Sequence, residues 1–315
     1  MHNNGMEKVL VTGGAGFIGT NLVKYINSQG CDDIIIADEL GTSDKWKNLT
    51  ELSFKDYIHF KDINNTFKFD YIFHLGACSS TTETDADYLI RNNYEFSKQL
   101  LHNFMYVKKF VYASSAATYG SGKLGFSDTT PINQLKPLNM YGYSKHLFDL
   151  YIQRHYNNLD NIIGLKYFNI FGPYESHKEN MCSVIYKAVK EIRDNKYLKL
   201  FKSENSNYKD GEQERDFLYV KDAVKFTTDL ALHPRGTGVV NVGSGNAYTW
   251  NYLAECIFEA MRVDINIKYV DMPDNLKDKY QYHTKADVTK LSRLIDNNIT
   301  DLRSAVKDYV QNYLL

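Results

Sequence analysis

The chain has 315 residues, of which 24% are charged, and 37 Lys and Arg nearly cancel 38 Asp and Glu. With no long run of like charge, nucleic acid and anionic membrane surfaces are poor candidate partners, and small ligands are expected. No apolar stretch approaches the roughly 18 residues that span a bilayer, and the start MHNNGMEKVL has no export signal, so a cytoplasmic location is expected.

The length suggests about two domains, or one large α/β domain with a smaller cap. Lys8 to Thr12 reads as a short apolar strand running into glycines, and Phe17 to Ile26 carries helical periodicity. Between them Gly13, Gly16 and Gly19 have the spacing that allows a tight turn, close approach of a pyrophosphate and helix packing. The helix N-terminus then faces the phosphates. Ile34 to Ala37 is a second strand, and Asp38 at its end is placed to bind ribose hydroxyls. Further strands are expected at Tyr57 to Lys61, Tyr71 to Leu75, Phe110 to Ser114 and Ile162 to Phe168, with helices at Asp85 to Val107 and Tyr141 to His155. Alternation of this kind implies an α/β fold with a doubly wound parallel sheet of Rossmann type. Its ligand belongs at the strands' carboxyl ends, at Gly13 to Gly16, Asp38, Gly76 to Ser79, Ser114 to Ser115 and Asn169 to Pro173.

After Pro173 the alternation loosens into a helix at Cys182 to Asn195, a polar loop from Ser203 to Glu214 and mixed segments. The expected organisation is a dinucleotide-binding domain over 1–170 and a smaller α/β substrate-binding domain over 171–315, some of whose segments return to the first. Arg215, in RDFLYVKD, is a candidate diphosphate contact. Cys31, Cys78, Cys182 and Cys256 have no zinc or disulfide spacing and read as reduced thiols, and the dispersed histidines give no metal site.

Tyr-x-x-x-Lys pairs occur at Tyr57/Lys61, Tyr94/Lys98, Tyr119/Lys123, Tyr141/Lys145, Tyr174/Lys178 and Tyr186/Lys190. Only Tyr141/Lys145 follows a Pro137-Leu138-Asn139 entry, sits among Gly142 and Ser144, and opens an apolar helical stretch at Leu147, Phe148, Leu150 and Tyr151. The two side chains share one helix face. With Ser115 upstream they assemble hydride-transfer machinery: Ser115 orients a hydroxyl or carbonyl, Tyr141 moves its proton, and Lys145 holds the tyrosinate and the nicotinamide ribose. A nearby cation is expected to lower the phenol from its ordinary value of about 10.

On these residues the chain resembles the extended short-chain dehydrogenase/reductases. Through HLGACSSTTETD, YASSAATYG, PLNMYGYSKHLFD, KYFNIFGPYESHK and KYQYHTKAD, it resembles more narrowly the ADP-L-glycero-D-manno-heptose 6-epimerases. The resemblance implies oxidation of a heptose C6 hydroxyl to a ketone and re-reduction on the opposite face, with Tyr141 and Lys178 as the two acid/base groups and Ser115 and Lys145 beside them. Carried over position by position, it implies cofactor contacts from Gly13, Gly16, Phe17, Ile18, Gly19, Asp38, Glu39, Lys45, Leu75, Gly76, Ala77, Cys78, Ser79, Asn92, Lys145 and Ile170. It implies substrate contacts from Ser79, Asn169, Asn180, Lys187, Phe201, Arg215 and Tyr280, and no metal.

The chain departs from the family at Tyr174, where Arg is usual, at Asn180 for Ser and at Lys187 for His, all expected to line or flank the substrate side. Glu39 replaces an Asn beside the cofactor ribose and favours NAD, whereas Lys45 can pair with a 2′-phosphate. With the family, this makes NADP the expected cofactor and NAD the alternative. The resemblance also implies a nucleotide-sugar substrate, a homo-oligomer, pentameric in many relatives, and supply of heptose for the lipopolysaccharide core. The competing expectation is another sugar-nucleotide epimerase, dehydratase or reductase of this fold. Ala116, Ala117 and Thr118 after Ser115 argue against a 4,6-dehydratase, and an intact Ser115, Tyr141 and Lys145 against a non-catalytic dinucleotide sensor.

Overall fold

The computed structural model describes residues 6–156, 160–234, 238–277 and 280–315. Lys279, which opens the last family string, and the first five residues of the stretch read for an export signal lie outside them.

The elements run β1 (Val9–Thr12), α1 (Phe17–Ser28), β2 (Ile34–Asp38), β3 (Asp56–His59), β4 (Tyr71–His74), α2 (Ala86–Leu89), α3 (Phe96–Phe104), β5 (Lys109–Ser115), α4 (Met140–His155), β6 (Ile162–Tyr167), β7 (Asn169–Phe171) and α5 (Val184–Asn195). They continue with β8 (Leu198–Phe201), β9 (Glu214–Arg215), β10 (Phe217–Tyr219), α6 (Val220–Leu232), β11 (Gly238–Val242), β12 (Tyr248–Thr249), α7 (Trp250–Met261), β13 (Ile267–Val270), α8 (Asp274–Lys277), α9 (Thr289–Leu294) and α10 (Leu302–Tyr309). Seven strands form one sheet in the order β11-β6-β5-β4-β1-β2-β3, parallel at every pairing. The chain winds from β1 outward to β3, then crosses to β4 on the other side. The crevice this leaves between β1 and β4 is where a doubly wound sheet binds its ligand. All four residues of β1, VLVT, are buried, as a strand covered on both faces requires.

Six of these strands stand where the sequence puts them, to within a residue or two. The seventh, β11, was not expected as a strand; its five residues GVVNV pair with β6 in the main sheet. The helix expected over Asp85 to Val107 is present but widened at Ile90–Glu95, where π-helical turns separate α2 from α3. Such bulges cost regular hydrogen bonding and re-aim side chains; this one turns Asn93 into the interior and leaves Asn92 half-buried. The remaining strands form three small pairs, β7 with β10, β9 with β12 and β8 with β13.

Helix α4 starts at Met140 because the Asn139 side chain accepts from the Gly142 N–H at 2.7 Å, a normal N-cap. The same helix is held from beneath by a buried ion pair. Asp149 Oδ2 meets Lys166 Nζ from β6 at 2.7 Å and accepts from Ser114 Oγ at 2.8 Å, while Oδ1 accepts from Tyr112 OH at 3.1 Å. Both charged side chains are 1% exposed or less. Removing one partner from such a pair leaves a charge uncompensated, whereas replacing both with apolar groups is often neutral. Lys166→Met is therefore expected to cost about 3 kcal/mol in urea unfolding, and Lys166→Met with Asp149→Leu to recover most of it. An equally unstable double variant would show that packing, not charge, holds α4 there.

Candidate active site

The turn after β1 is built from missing side chains. Gly13 has φ +70°, and a Cβ on it would sit 2.7 Å from the Gly76 nitrogen after β4; one on Gly19 would run into the Gly13 carbonyl and the Gly14 Cα. Gly16 is the N-cap of α1 with no side-chain cap, so the first-turn amides are left for an anion. Phe17 and Gly19 are buried and Ile18 is half-buried in that first turn.

Asp38, 6% exposed, closes the turn at the end of β2. Its Oδ2 accepts from the Ala15 N–H at 2.9 Å, and its Oδ1 accepts from the Glu39 N–H at 2.7 Å and from Lys45 Nζ at 2.5 Å. Lys45 also donates to the Glu39 carbonyl at 3.2 Å. The Glu39 carboxylate stays largely in solvent, 3.9 Å from His59 Nε2. Gly13, Asp38, Glu39, Lys45, Gly76, Ala77, Cys78 and Asn92 line one cavity of about 220 Å³. A glycine cradle that a Cβ would fill, beside a buried carboxylate, fits a dinucleotide's pyrophosphate and ribose.

The opposite wall is set by a hydrogen-bond chain that sequence reading did not find. The Gly76 N–H donates to Thr12 Oγ1 at 3.0 Å, and Thr12 lies 2.8 Å from His74 Nδ1. His74 Nε2 lies 2.7 Å from Ser97 Oγ, which donates to the Asn93 carbonyl at 2.7 Å. Burial, with Lys145 nearby, pushes His74 down to about 3, so the ring is neutral and the chain reads in one direction, Thr12 donating to Nδ1 and Nε2 donating to Ser97. The Asn93 amide then holds the next loop. It accepts from the Cys78 N–H at 2.8 Å and donates to the Cys78 carbonyl and to Ser144 Oγ on α4, both at 3.0 Å. Leu75 donates its N–H to the Thr12 carbonyl at 3.2 Å, Ser79 is exposed, and Asn92 turns its amide to the Tyr88 carbonyl at 2.8 Å.

The Ser115 hydroxyl stands beside the Tyr141 phenol, and Ser115 Oγ accepts from the Ala117 N–H at 3.1 Å. Burial raises the Tyr141 phenol, with the Ser115 hydroxyl pulling the other way. The expected lowering by a cation does not occur, because Lys145 directs its ammonium to the Ala113 carbonyl at 2.9 Å. Lys145 is itself brought down to about 8 by burial, against the pull of Asp149 one turn further along α4.

The loop after β7 carries the second lysine. Lys178 lies with Nζ 4.9 Å from the centre of the Phe17 ring, and burial lowers its pKa, with Lys187 acting in the same direction and Glu175 and Cys182 opposing. Glu175, 1% exposed, ties this loop down by accepting from the Ser183 N–H at 2.6 Å and from Tyr309 OH at 2.8 Å. Asn180 and Lys187 are exposed. Tyr174 does not join this group: its hydroxyl accepts from Lys24 at 2.6 Å and donates to Glu51 at 3.0 Å, so the substitution there faces α1.

A third group lies around Arg215. Its guanidinium stacks 4.9 Å from the Tyr280 ring and 5.6 Å from the Trp250 ring, and Trp250 Nε1 donates to Tyr280 OH at 2.9 Å. Buried Asp216 fixes the surroundings by accepting from the N–H groups of Ser244 at 2.7 Å, Gly245 at 3.0 Å and Ala286 at 2.9 Å. Phe201 ends β8, half-buried, and Asn169 and Ile170 lie in β7, with Asn169 Nδ2 donating to the Asp216 carbonyl at 3.1 Å. Among the described residues no cluster of three His, Cys, Asp or Glu could hold a metal, and no helix is long and apolar enough to cross a membrane.

The NAD dependent epimerase/dehydratase family matches residues 9–243. The ADP-L-glycero-D-manno-heptose-6-epimerase of Nitratidesulfovibrio vulgaris is 47% identical over 315 residues, covering 97% of each chain. Its Fusobacterium nucleatum counterpart is 40% identical, over 97% of this chain and 98% of that one. The crystal structure of the Helicobacter pylori enzyme of the same name superposes with a TM-score of 0.82 at 29% identity, over 99% of this chain and 98% of that one. The glycine turn gives the site's steric test. Gly19→Ala is expected to abolish dinucleotide binding in calorimetry, because the added methyl meets the Gly13 carbonyl; undiminished affinity would mean that the turn yields.

Proposed function

The chain belongs to the NAD dependent epimerase/dehydratase family, and from that premise we infer that it is an isomerase acting on a nucleotide sugar: it converts ADP-D-glycero-D-manno-heptose to the L-glycero epimer at C6. The observation that carries the mechanism is the pair of acid/base candidates on separate elements, Tyr141 on α4 beside Ser115, and Lys178 on the loop that rests against Phe17.

A nicotinamide dinucleotide supplies a reversible acceptor for the C6 hydride. The protein's part is to move the hydroxyl proton and to present both faces of the resulting C6 ketone. Tyr141 serves one face as a phenol that exchanges its proton with the C6 oxygen, with Ser115 orienting it and Lys145 one helical turn away. Lys178 serves the other. A lysine can take a proton only when neutral, so activity rises as pH rises through its lowered pKa. Gly13, Gly16, Phe17, Ile18, Gly19, Asp38, Glu39, Lys45, the 75–79 loop, Asn92, Lys145 and Ile170 hold the dinucleotide. Ser79, Asn169, Asn180, Lys187, Phe201, Arg215 and Tyr280 hold the substrate, with Arg215, stacked on rings that exclude water from one side, at the diphosphate.

The cofactor of this reading is NADP. Lys45 is the cation beside Asp38, and it can turn from that carboxylate to a 2′-phosphate, although Glu39 opposes the added charge. The dinucleotide released on denaturation distinguishes NADP from NAD. Residues 1–170 form the dinucleotide-binding part and 171–315 mainly the substrate-binding part, with β11 as a segment of the latter in the main sheet. A cytoplasmic homo-oligomer supplying heptose for lipopolysaccharide completes the proposal.

Purified protein with ADP-D-glycero-D-manno-heptose is expected to produce the L-glycero epimer, seen at C6 by proton NMR. Tyr141→Phe and Lys178→Met are each expected to lower kcat by about 10² to 10⁴ while remaining folded and dinucleotide-bound. Turnover like wild type in either variant would remove that residue from the chemistry.

A further inference from the structure

Asn48 has no place in the family strings, yet the residue is only 7% exposed and its side chain meets both halves of the site. Its Nδ2 donates to the Ala15 carbonyl at 2.9 Å and the Tyr174 carbonyl at 3.2 Å, and lies 3.2 Å from His177 Nδ1. Ala15 belongs to the glycine turn, where its own N–H is held by Asp38. His177 immediately precedes Lys178. A second amide does the same work next to it: Asn21 Nδ2 donates to the Phe17 carbonyl and to the Pro173 carbonyl, each at 2.9 Å. Two asparagines thus fasten residues 173–177 to residues 15–17, and Lys178 comes to rest on Phe17 itself.

Two N–H groups facing three acceptors make the Asn48 contact sensitive to small movements of any of the three. Tyr174 also sits at φ +70°, a left-handed conformation rare for a residue with a bulky side chain. The surrounding structure must over-determine it, and the Asn48 bond to its carbonyl is part of that constraint.

We propose that Asn48 is a positioning residue that couples the shape of the dinucleotide-binding turn to the placement of the Lys178 amine. This rests on the reading of Lys178 as a base. Movement of the turn is passed through the Ala15 carbonyl and the Asn48 amide to His177, and so to the neighbouring lysine. His177 stays neutral at working pH, since burial with Lys45 and Lys178 nearby pushes it to about 4, so Nδ1 remains able to accept. The charged and titratable groups facing Lys178 are Glu175 and Cys182 on its own side of the site, Lys187 on α5, and its neighbour His177. Of these only His177, which is neutral, meets Asn48, so an effect of Asn48 on Lys178 reports position and solvent access.

The test compares wild type, Asn48→Ala, His177→Ala and Lys178→Met, using the NMR epimerisation assay across pH and calorimetry with NADP and NAD. Asn48→Ala is expected to lower kcat by about 10²-fold, as a misplacement near 1 Å can. It should also weaken dinucleotide binding and move the Lys178 limb of the pH profile upward, because a less confined lysine regains solvent. His177→Ala removes the arm toward Lys178 and leaves the Asn48 bond to the Ala15 carbonyl, so it is expected to lower kcat and shift the limb with dinucleotide affinity weakened less than in Asn48→Ala, and it decides the matter if Asn48→Ala does not fold. Wild-type kcat and pH limb in both variants, with Lys178→Met inactive, would overturn the coupling and leave the base in place. A fully active Lys178→Met would overturn the base reading and the coupling with it.

Discussion

Backbone approaches backbone at the end of β1 with no space for a methyl group, and the rest of the site is arranged around that crowding. Gly13 abuts Gly76 after β4, and Gly19 abuts the Gly13 carbonyl, so β1, α1 and the β4 loop converge on one point at the place where the strand order reverses. Because the turn cannot hold side chains, other residues must fix it from outside. Asp38 holds the Ala15 N–H, Asn48 holds the Ala15 carbonyl, and Asn21 holds the Phe17 carbonyl. Each of those polar groups comes from a different element, which makes the turn a junction between the sheet and the substrate-side loop.

The ionisable groups of the site are tuned mainly by burial. Lys145 and Lys178 are both lowered and Tyr141 is raised, each shift favouring the neutral form. Groups that exchange protons with a substrate hydroxyl gain from being brought closer to the working pH, and the two lysines move that way. The phenol moves the other way, with the Ser115 hydroxyl opposing the shift, so as the proposed proton carrier it depends on what the substrate brings. By contrast Asp149 and Lys166 stay paired beneath α4, close enough to steady the helix that bears Tyr141 and Lys145.

Much of this was legible before any fold was known, for reasons that differ by residue. Gly13, Gly16, Gly19 and Asp38 are readable because steric exclusion and charge act locally, and the start of α4 because Asn139 caps it within three residues. The strand β11 was not readable: five residues with one polar interruption carry too little periodicity, and only pairing with β6 makes them a strand. Asn48, Asn93, Glu175 and Asp216 were equally silent, since each acts on partners distant in sequence, as Asn48 does on Tyr174. Tyr174 stood out as a substitution, but its direction toward Lys24 and Glu51 depends on how α1 packs.

The central claim is that C6 loses and regains the same hydride while the protein's own groups handle only the proton. It is tested most directly with ADP-D-glycero-D-manno-heptose deuterated at C6, followed by NMR and mass spectrometry in ordinary water. The account predicts that the L-glycero product keeps deuterium at C6 and that no solvent hydrogen enters there. Washout of the label into solvent at the rate of epimerisation would contradict it, because it would mean that C6 is inverted by proton abstraction instead.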